Sequence, residues 1–241
     1  MPDFTHLLVT RFNVLFRSPA DPSAVTKCLD AEWLDARLKL FERYCAPSVA
    51  AQHDKEFTWL ILIHPKTPAA VRTRLRRAAE AAEQIEVPLG RVRQAMRRVL
   101  AEREGDSPYL ITSRLDSDDA LHVSYMERVH AGFDHQELEC LDLPGGYTYD
   151  PRTKDVRSRV SHQNPFISLV ERSNGEPQTV FSIRHGNIDQ VAPIRALDDA
   201  PAWLQVIHGG NIRNKMQGDE FSGDVAELLR TEFAIEEPGL N

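Results

Sequence analysis

Three carboxylates fall within four residues at Asp116, Asp118 and Asp119, and side chains that close repel one another unless a cation or a basic group sits among them. A hard divalent cation meets that need. Mg2+ or Mn2+ prefers oxygen ligands, often takes only one or two carboxylates from a protein, and leaves positions for substrate phosphates. The cluster follows the apolar run Tyr109-Leu110-Ile111-Thr112-Ser113, and ligands of open α/β sheets bind beyond the carboxyl ends of their strands. The plainer alternative is that Asp119 caps a following helix while the other two face solvent. Asp116, Asp118 and Glu127 fall at positions one, three and twelve of an EF-hand loop, but Leu121 stands where that loop requires glycine, and the segment has helical periodicity.

Positioning such a cluster requires a sheet. The runs His6 to Thr10, Phe57 to Ile63 and Tyr109 to Ser113 are predicted as buried strands. Between the first two, Asp30 is placed to cap a helix in which Leu34, Leu38, Phe41 and Cys45 recur at helical spacing, flanked by Trp33 and Arg37 and stopped by Pro47. Residues 68–104 read as one or two helices interrupted at Pro88-Leu89-Gly90, and Leu121, Tyr125 and Val129 as one face of another helix. The order β-α-β-α-β-α predicts an α/β fold, a mixed and mainly parallel sheet flanked by helices.

After Gly132 the segments shorten, with turn signals at Pro144-Gly145-Gly146, Pro151, Asn174-Gly175 and Gly186-Asn187. Strands are expected over 146–149, 156–160, 179–183 and 203–208. A short helix is expected from Pro165 to Arg172, opened by Asn164-Pro165, and a polar tail over 236–241. The 241 residues are expected to form one domain, with a nucleotide-binding half to about residue 133 and an acceptor-side half over about 134–235.

Composition excludes several classes. No apolar run approaches the roughly 20 residues that span a bilayer. Three cysteines, far apart and outside any C-x-x-C pattern, indicate neither a disulfide framework nor a zinc site. The N-terminus lacks the basic start and apolar centre of a signal peptide, so a cytoplasmic protein is expected. A net charge of −7 disfavours nucleic acid as a partner. Residues 66–103 nevertheless hold ten Lys/Arg against four Asp/Glu, either a solvated helical face or a surface for peripheral contact with an anionic membrane. P-loop, G-x-S-x-G and H-E-x-x-H motifs are absent.

Four groups of residues together carry a family resemblance. They are Thr10-Arg11-Phe12-Asn13; Pro47-Ser48-Val49 with Gln52 and Phe57-Thr58-Trp59; Thr112 to Leu121 around Arg114-Leu115-Asp116-Ser117-Asp118-Asp119; and Trp203 to Asn211. Over about residues 5–215 the chain resembles the bacterial putative rhamnosyltransferase family, which is similar to glycosyltransferases of the GT-A type. The resemblance implies a metal-dependent transferase moving a sugar, rhamnose by the family name, from a dTDP-, UDP- or GDP-sugar to a glycan or glycolipid acceptor. Asp116 and Asp118 match its D-x-D motif, which holds Mn2+ or Mg2+ and contacts the donor, and Asp118 is the first choice for direct coordination. Thr10, Arg11, Asn13 and Arg114 are placed beside the nucleotide.

His208 fits the late histidine that completes the metal shell, and imidazole suits Mn2+. Gly209 and Gly210 would let backbone N–H groups approach a phosphate. His185-Gly186-Asn187 echoes this motif. If configuration inverts, a base must take the acceptor's proton, and Glu171, on the expected helix, is nominated. Two rivals share the fold: a sugar-phosphate nucleotidyltransferase, which would need a glycine-rich basic loop not present after Val9, and a non-catalytic nucleotide- or glycan-binding domain.

Overall fold

The computed structural model describes residues 3–14, 22–88, 91–102, 107–173, 177–181, 185–209 and 215–236. In chain order the elements are β1 (Phe4–Arg11), α1 (Pro22–Leu29), α2 (Ala31–Leu40), a π-helical turn (Phe41–Cys45), α3 (Ala46–Ala50), β2 (Thr58–Ile63), α4 (Ala69–Ala78), β3 (Glu83–Glu86), α5 (Val92–Ala101), β4 (Tyr109–Asp116), β5 (Ala120–Leu121) and α6 (Tyr125–Ala131). Then follow β6 (Leu138–Asp142), β7 (Gly145–Asp150), β8 (Asp155–Val160), β9 (Ser168–Arg172), 3-10 turns at His185–Gln190, β10 (Ile194–Ala196), β11 (Trp203–Val206), β12 (Asp219–Glu220) and α7 (Val225–Phe233).

The main sheet runs β10-β6-β9-β4-β1-β2-β3 and a second sheet runs β12-β8-β7-β11-β5. β1 pairs in parallel with β2 and β4, β2 with β3, and β6 with β10, whereas β9 lies antiparallel between β4 and β6. The expected mixed, mainly parallel sheet flanked by helices is therefore found. Strands β6, β9 and β10 join the main sheet although they follow residue 133, and β5, which precedes it, joins the second.

The pleat sends alternate side chains to opposite faces, which is why β2 reads as an unbroken apolar run rather than an alternating one. Leu8, Ile61, Ile63, Ile111 and Leu115 meet Leu34, Leu38 and Phe41 together with Tyr125, Met126 and Val129 on one side. Leu7, Val9, Leu60, Leu62, Leu110 and Leu169 meet Val92, Met96 and Val99 with Val180, Phe181 and Ile188 on the other. In the second sheet Tyr147, Tyr149, Leu204 and Val206 pack on Leu228, Leu229 and Phe233 of α7. That helix, not expected from the sequence, is capped by Asp224, whose carboxylate accepts from Glu227 N at 3.0 Å.

Several expectations are corrected. Asp30 does cap α2, accepting from Trp33 N at 2.8 Å, but Pro47 does not stop the helical run. A π turn precedes it, and Pro47 enters at the first turn of α3, where its missing N–H costs little, so the run continues to Ala50. Residues 83–86 form a strand, not a helix: Glu83-Gln84-Ile85-Glu86 pairs only with β2 and sits at the sheet edge, so its polarity hides it from an apolar-pattern reading. Leu121 belongs to β5 and not to the helix, which begins at Tyr125.

Asn164-Pro165 opens a turn instead of a helix. Asn164 Oδ1 accepts from Phe166 N at 2.8 Å, its amide donates to Asp142, Leu143 O and Ser161 O, and the chain then enters β9. Gly145 and Gly146 begin β7 rather than a turn. A Cβ on Gly146 would stand 2.2 Å from the Trp203 ring, which stacks on Phe166 at 5.1 Å, so only glycine admits the indole there. The expected strand at 179–183 is not one at 179–181. Gln178 and Thr179 donate their backbone N–H groups to Glu171 and Val180 donates to Thr112 Oγ1; residues 182 and 183 lie outside the described set. In the basic 66–103 region Arg72 is held by Glu86 and Arg74 by Asp35 and Glu42, while Arg76, Arg77, Arg97 and Arg98 stay exposed. Among the described residues no helix is long and apolar enough to cross a membrane.

Candidate functional site

The parallel register of β1 and β4 sets Arg11 directly opposite Asp116, both at the carboxyl ends of their strands. Arg114, two residues before Asp116, projects from the same face of β4. Asp116 is therefore gripped from two sides, Oδ1 by Arg11 Nη2 at 3.0 Å and Oδ2 by Arg114 Nη2 at 2.9 Å. Burial alone would raise the Asp116 carboxyl, but the guanidiniums of Arg114 and Arg11 outweigh it and hold the group well below the usual carboxylate range. Burial brings Arg11 down to about 10 against the opposing pull of Asp116, so it stays charged at neutral pH.

Beyond the strand end the chain turns, Asp119 N donating to Asp116 O at 3.2 Å. Asp119 does not cap a helix: its Oδ1 accepts from Val206 N at 2.9 Å, tying this turn to the end of β11. Burial, then the charges of Asp118 and Asp116, push the Asp119 carboxyl well above its ordinary value. The tie matters for function because His208 lies two residues past Val206. Its Nε2 comes within 2.9 Å of Asp118 Oδ2. The same oxygen receives Arg37 Nη1 at 2.7 Å, from α2 on the other side of the turn. Arg37 in turn lies over the Trp33 ring, 5.1 Å from its centroid. Trp33 also lines, with Thr26, Lys27 and Asp30, an open surface depression of about 530 Å3 along α1 and the start of α2.

The side chains expected at the site thus divide. Asp118 and His208 meet, and Arg11, Arg114 and Asp116 form the neighbouring clamp. Thr10 is fully buried and its Oγ1 accepts from Trp59 Nε1 at 3.0 Å, so it supports the core beneath the site and does not face a nucleotide. Asn13 is equally buried. Its amide donates to Cys28 O and Thr67 Oγ1 and its carbonyl accepts from His64 N, which makes it the brace of the loops after β1 and β2 rather than a ligand contact. Gly209 is exposed, and a Cβ there would meet nothing within 4 Å among the described residues; Gly210 lies outside them, as does the side chain of His185.

Glu171 is placed elsewhere altogether. It pairs with Leu110 near the start of β4, six residues and about 20 Å of strand from Asp116. Its carboxylate is buried and accepts from Gln178 N at 2.7 Å and Thr179 N at 2.9 Å. Those two bonds account for its burial, and the expectation of a catalytic base on a helix fails because the segment is a central strand. Arg37 joins this cluster although its part in it was not read from the sequence. The only signal was its place on the flank of α2, 81 positions from the aspartate it contacts.

The donor set decides what the site can hold. Among the described residues no three His, Cys, Asp or Glu side chains converge as a metal-binding group, and Asp116 has both oxygens on arginines. Asp118 and His208 do offer one oxygen and one nitrogen donor at contact distance, a pair suited to Mn2+ or Mg2+ when water and phosphate complete the shell. The buried Ser117 Oγ and Arg114 Nε beside them have no hydrogen-bond partner among the described residues, so each has capacity for a water, an ion or a ligand atom.

The family model "Putative rhamnosyl transferase" matches residues 5–220. The chain belongs to this family, and with it to the glycosyltransferases. No curated protein matches it. Among solved structures it is similar to a "putative nucleotide-diphospho-sugar transferase" from Desulfovibrio desulfuricans G20, at 10% identity and TM-score 0.42 over 83% of this chain and 84% of that one. It is similar to S. aureus TarS 1-349 in complex with UDP at 13% identity and TM-score 0.44, over 86% of this chain and 61% of that one. An inositol-1-phosphate CTP transferase from T. maritima aligns at 11% identity and TM-score 0.36, over 85% and 89% of the two chains. The chain spans about three fifths of the TarS fragment.

Proposed function

We propose that this protein is a cation-dependent transferase that moves a sugar from a nucleoside-diphosphate donor to a glycan or glycolipid hydroxyl, with the donor's diphosphate bound at the carboxyl ends of β1 and β4. The observation that carries the reading is the meeting of Asp118 and His208 at 2.9 Å beside the Arg11–Asp116–Arg114 clamp, at the carboxyl ends of the strands, where α/β proteins bind their ligands. Rhamnose as the transferred sugar is supported by the family, and dTDP, UDP and GDP are the donor nucleotides to test. Strands from both halves of the chain share both sheets, which supports treating residues 1–241 as one working unit. The exposed Arg97 and Arg98 of α5 support contact with an anionic membrane surface, where a lipid-linked acceptor would lie; Arg76 and Arg77 of α4 belong to the layer on the other face of the sheet. A cytoplasmic setting is part of the same reading.

A divalent cation held by Asp118 and His208 would neutralise charge on the departing nucleoside diphosphate. The chain's own groups do the rest of the positioning. Arg11 and Arg114 keep Asp116 ionised and fixed, so the loop that presents Asp118 cannot relax away from the strand end. Asp119 locks the turn to β11 and so sets where His208 falls. Arg11, Arg37 and Arg114 lie at one strand end with Asp116 and Asp118 as their present partners, and guanidiniums are side chains suited to pair with a diphosphate. Glu171 has no part in this chemistry.

The test is a thermal-shift titration with UDP, dTDP and GDP, each with Mn2+ or with chelator, on wild type and Asp118→Ala, followed by transfer assays with the nucleotide that binds. One nucleotide should stabilise the wild type by about 2.7 kcal/mol at 100 times its dissociation constant, only with metal and not in the variant. Stabilisation by every nucleotide without metal, or none at all in folded protein, would defeat the reading. Binding without sugar transfer would instead favour a non-catalytic domain.

A further inference from the structure

Asp118 Oδ2 is the oxygen nearest His208 Nε2, and it is also the oxygen that Arg37 Nη1 touches at 2.7 Å. A divalent cation held between Asp118 and His208 must compete for that oxygen with a guanidinium. The Arg37 side chain is 19% exposed and Asp118 11%, so the pair is only weakly screened by solvent, and a bound cation would be repelled by Arg37 unless the arginine moved or gained an anion. Its neighbours offer a direction for that movement. Arg37 lies over Trp33, one turn away on α2, and Trp33 lines an open depression with Thr26, Lys27 and Asp30, so a guanidinium released from Asp118 has an aromatic face to rest on and open space beside that ring. Arg11 and Arg114 pair with Asp116, and among the described ion pairs Arg37 is the guanidinium joined to Asp118.

Resting on the reading of Asp118 and His208 as a cation site, we propose that Arg37 is a positioning residue that fills the cation's place on Asp118 and releases it when a nucleoside diphosphate arrives. The freed guanidinium then pairs with the diphosphate against Trp33. Two consequences follow from charge balance. Metal alone binds weakly because it must displace Arg37 without giving it a new partner. Metal and nucleotide bind together because the anion receives the arginine that the cation expels, and the coupling is reciprocal.

The experiment is a Mn2+ titration, followed by the electron paramagnetic resonance signal of free Mn2+, with MnCl2 alone and with UDP, GDP or dTDP. It compares wild type, Arg37→Met, Arg37→Lys and Asp118→Asn. Arg37→Met keeps the apolar stem and loses the charge. It should bind Mn2+ alone about tenfold more tightly than wild type, and the gain in Mn2+ affinity produced by nucleotide should shrink by a similar factor. Arg37→Lys, which keeps a charge, should stay within about threefold of wild type, so a general disturbance of the fold cannot imitate the result. Asp118→Asn should lose Mn2+ binding under both conditions. If wild type binds Mn2+ with nucleotide but Arg37→Met binds Mn2+ alone no more tightly than wild type, Arg37 is not the place-holder, and the cation site stands without it. If wild type binds no Mn2+ with any nucleotide, the cation site itself is wrong and the role of Arg37 falls with it.

Discussion

The two ends of β4 each hold a carboxylate, one half-buried and one fully buried, and they treat it in opposite ways. At the carboxyl end Asp116 is held by two guanidiniums and stays ionised below the usual range. Near the amino end Glu171, on the neighbouring β9, has two backbone N–H groups and no cationic partner, and burial pushes its carboxyl up despite those bonds. The first arrangement is costly in desolvation and has further ionisable side chains around it: Asp118, Asp119, Arg37 and His208 lie next to it. The second is a closed account in which every acceptor is matched and no other charged side chain contacts the carboxylate among the described hydrogen bonds and ion pairs. Concentrated, partly exposed charge at a strand end is what a ligand site requires, whereas a carboxylate satisfied by its own backbone neighbours stitches a segment to the sheet.

The largest effect should come from breaking the charged end. Asp118→Asn is expected to lower sugar transfer by roughly 10²–10³-fold, while Glu171→Gln, in protein that remains folded, stays within about threefold of wild type in a transfer assay. Comparable losses in both variants would erase the distinction between the two ends. Next in size is the clamp. Arg11→Met strips one partner from Asp116 and should cost about 2 kcal/mol in urea unfolding, moderated because Arg114 remains and the Asp116 side chain is 30% exposed.

The smallest and most diagnostic effect is the sign of the pH dependence. The Glu171 value is raised, so its contribution is fully present below the ordinary value of 4.5 and is lost as pH rises through its folded value. The Asp116 value is lowered, so its contribution is present above the ordinary 3.8 and is lost as pH falls through its folded value. Urea midpoints measured against pH should therefore lose a downward slope above 4.5 in Glu171→Gln and an acid-side fall in Asp116→Asn, neither exceeding about 1.4 kcal/mol per pH unit. Slopes of the same sign removed by both variants would contradict the contrast.

A second contrast lies between the two faces of β4. In the interior of the main sheet His130 Nδ1 lies 2.7 Å from Asp54 Oδ2, His130 Nε2 lies 2.7 Å from His6 Nδ1, and His6 Nε2 lies 2.8 Å from Ser113 Oγ, which leads on to Ser168 and Tyr125. Burial, aided by His130, keeps the His6 value well below the ordinary one. This chain of partners runs on the face of β4 opposite Arg114 and Asp116, so one strand carries a histidine and hydroxyl thread on one side and the arginine clamp on the other.

Much of this architecture can be read from residue order because it depends on periodicities of two and 3.6. The apolar runs of β1, β2 and β4, the Asp30 cap and the acidic turn after β4 all follow from local composition, and so does the placing of the acidic cluster at the end of a strand. Polar Glu83 to Glu86 escapes that reading because an edge strand has little apolar surface to bury, and β9 escapes it because Asn164-Pro165 opens turns as readily as helices. Thr10 and Asn13 have side chains suited to a ligand contact, and nothing local reveals that both are sealed beneath it.

The sequence specified the chemistry: which carboxylates cluster, which imidazole follows Val206, and which class of cation would suit them. Folding decided the partners. Arg11 meets Asp116 through a parallel register, Arg37 and His208 reach one oxygen of Asp118 from 81 residues before it and 90 after, and Glu171 lies at the far end of the sheet. Local propensity acts over a few bonds of chain, whereas electrostatic pairing acts over a few ångströms of space, and only the packed sheets convert one into the other.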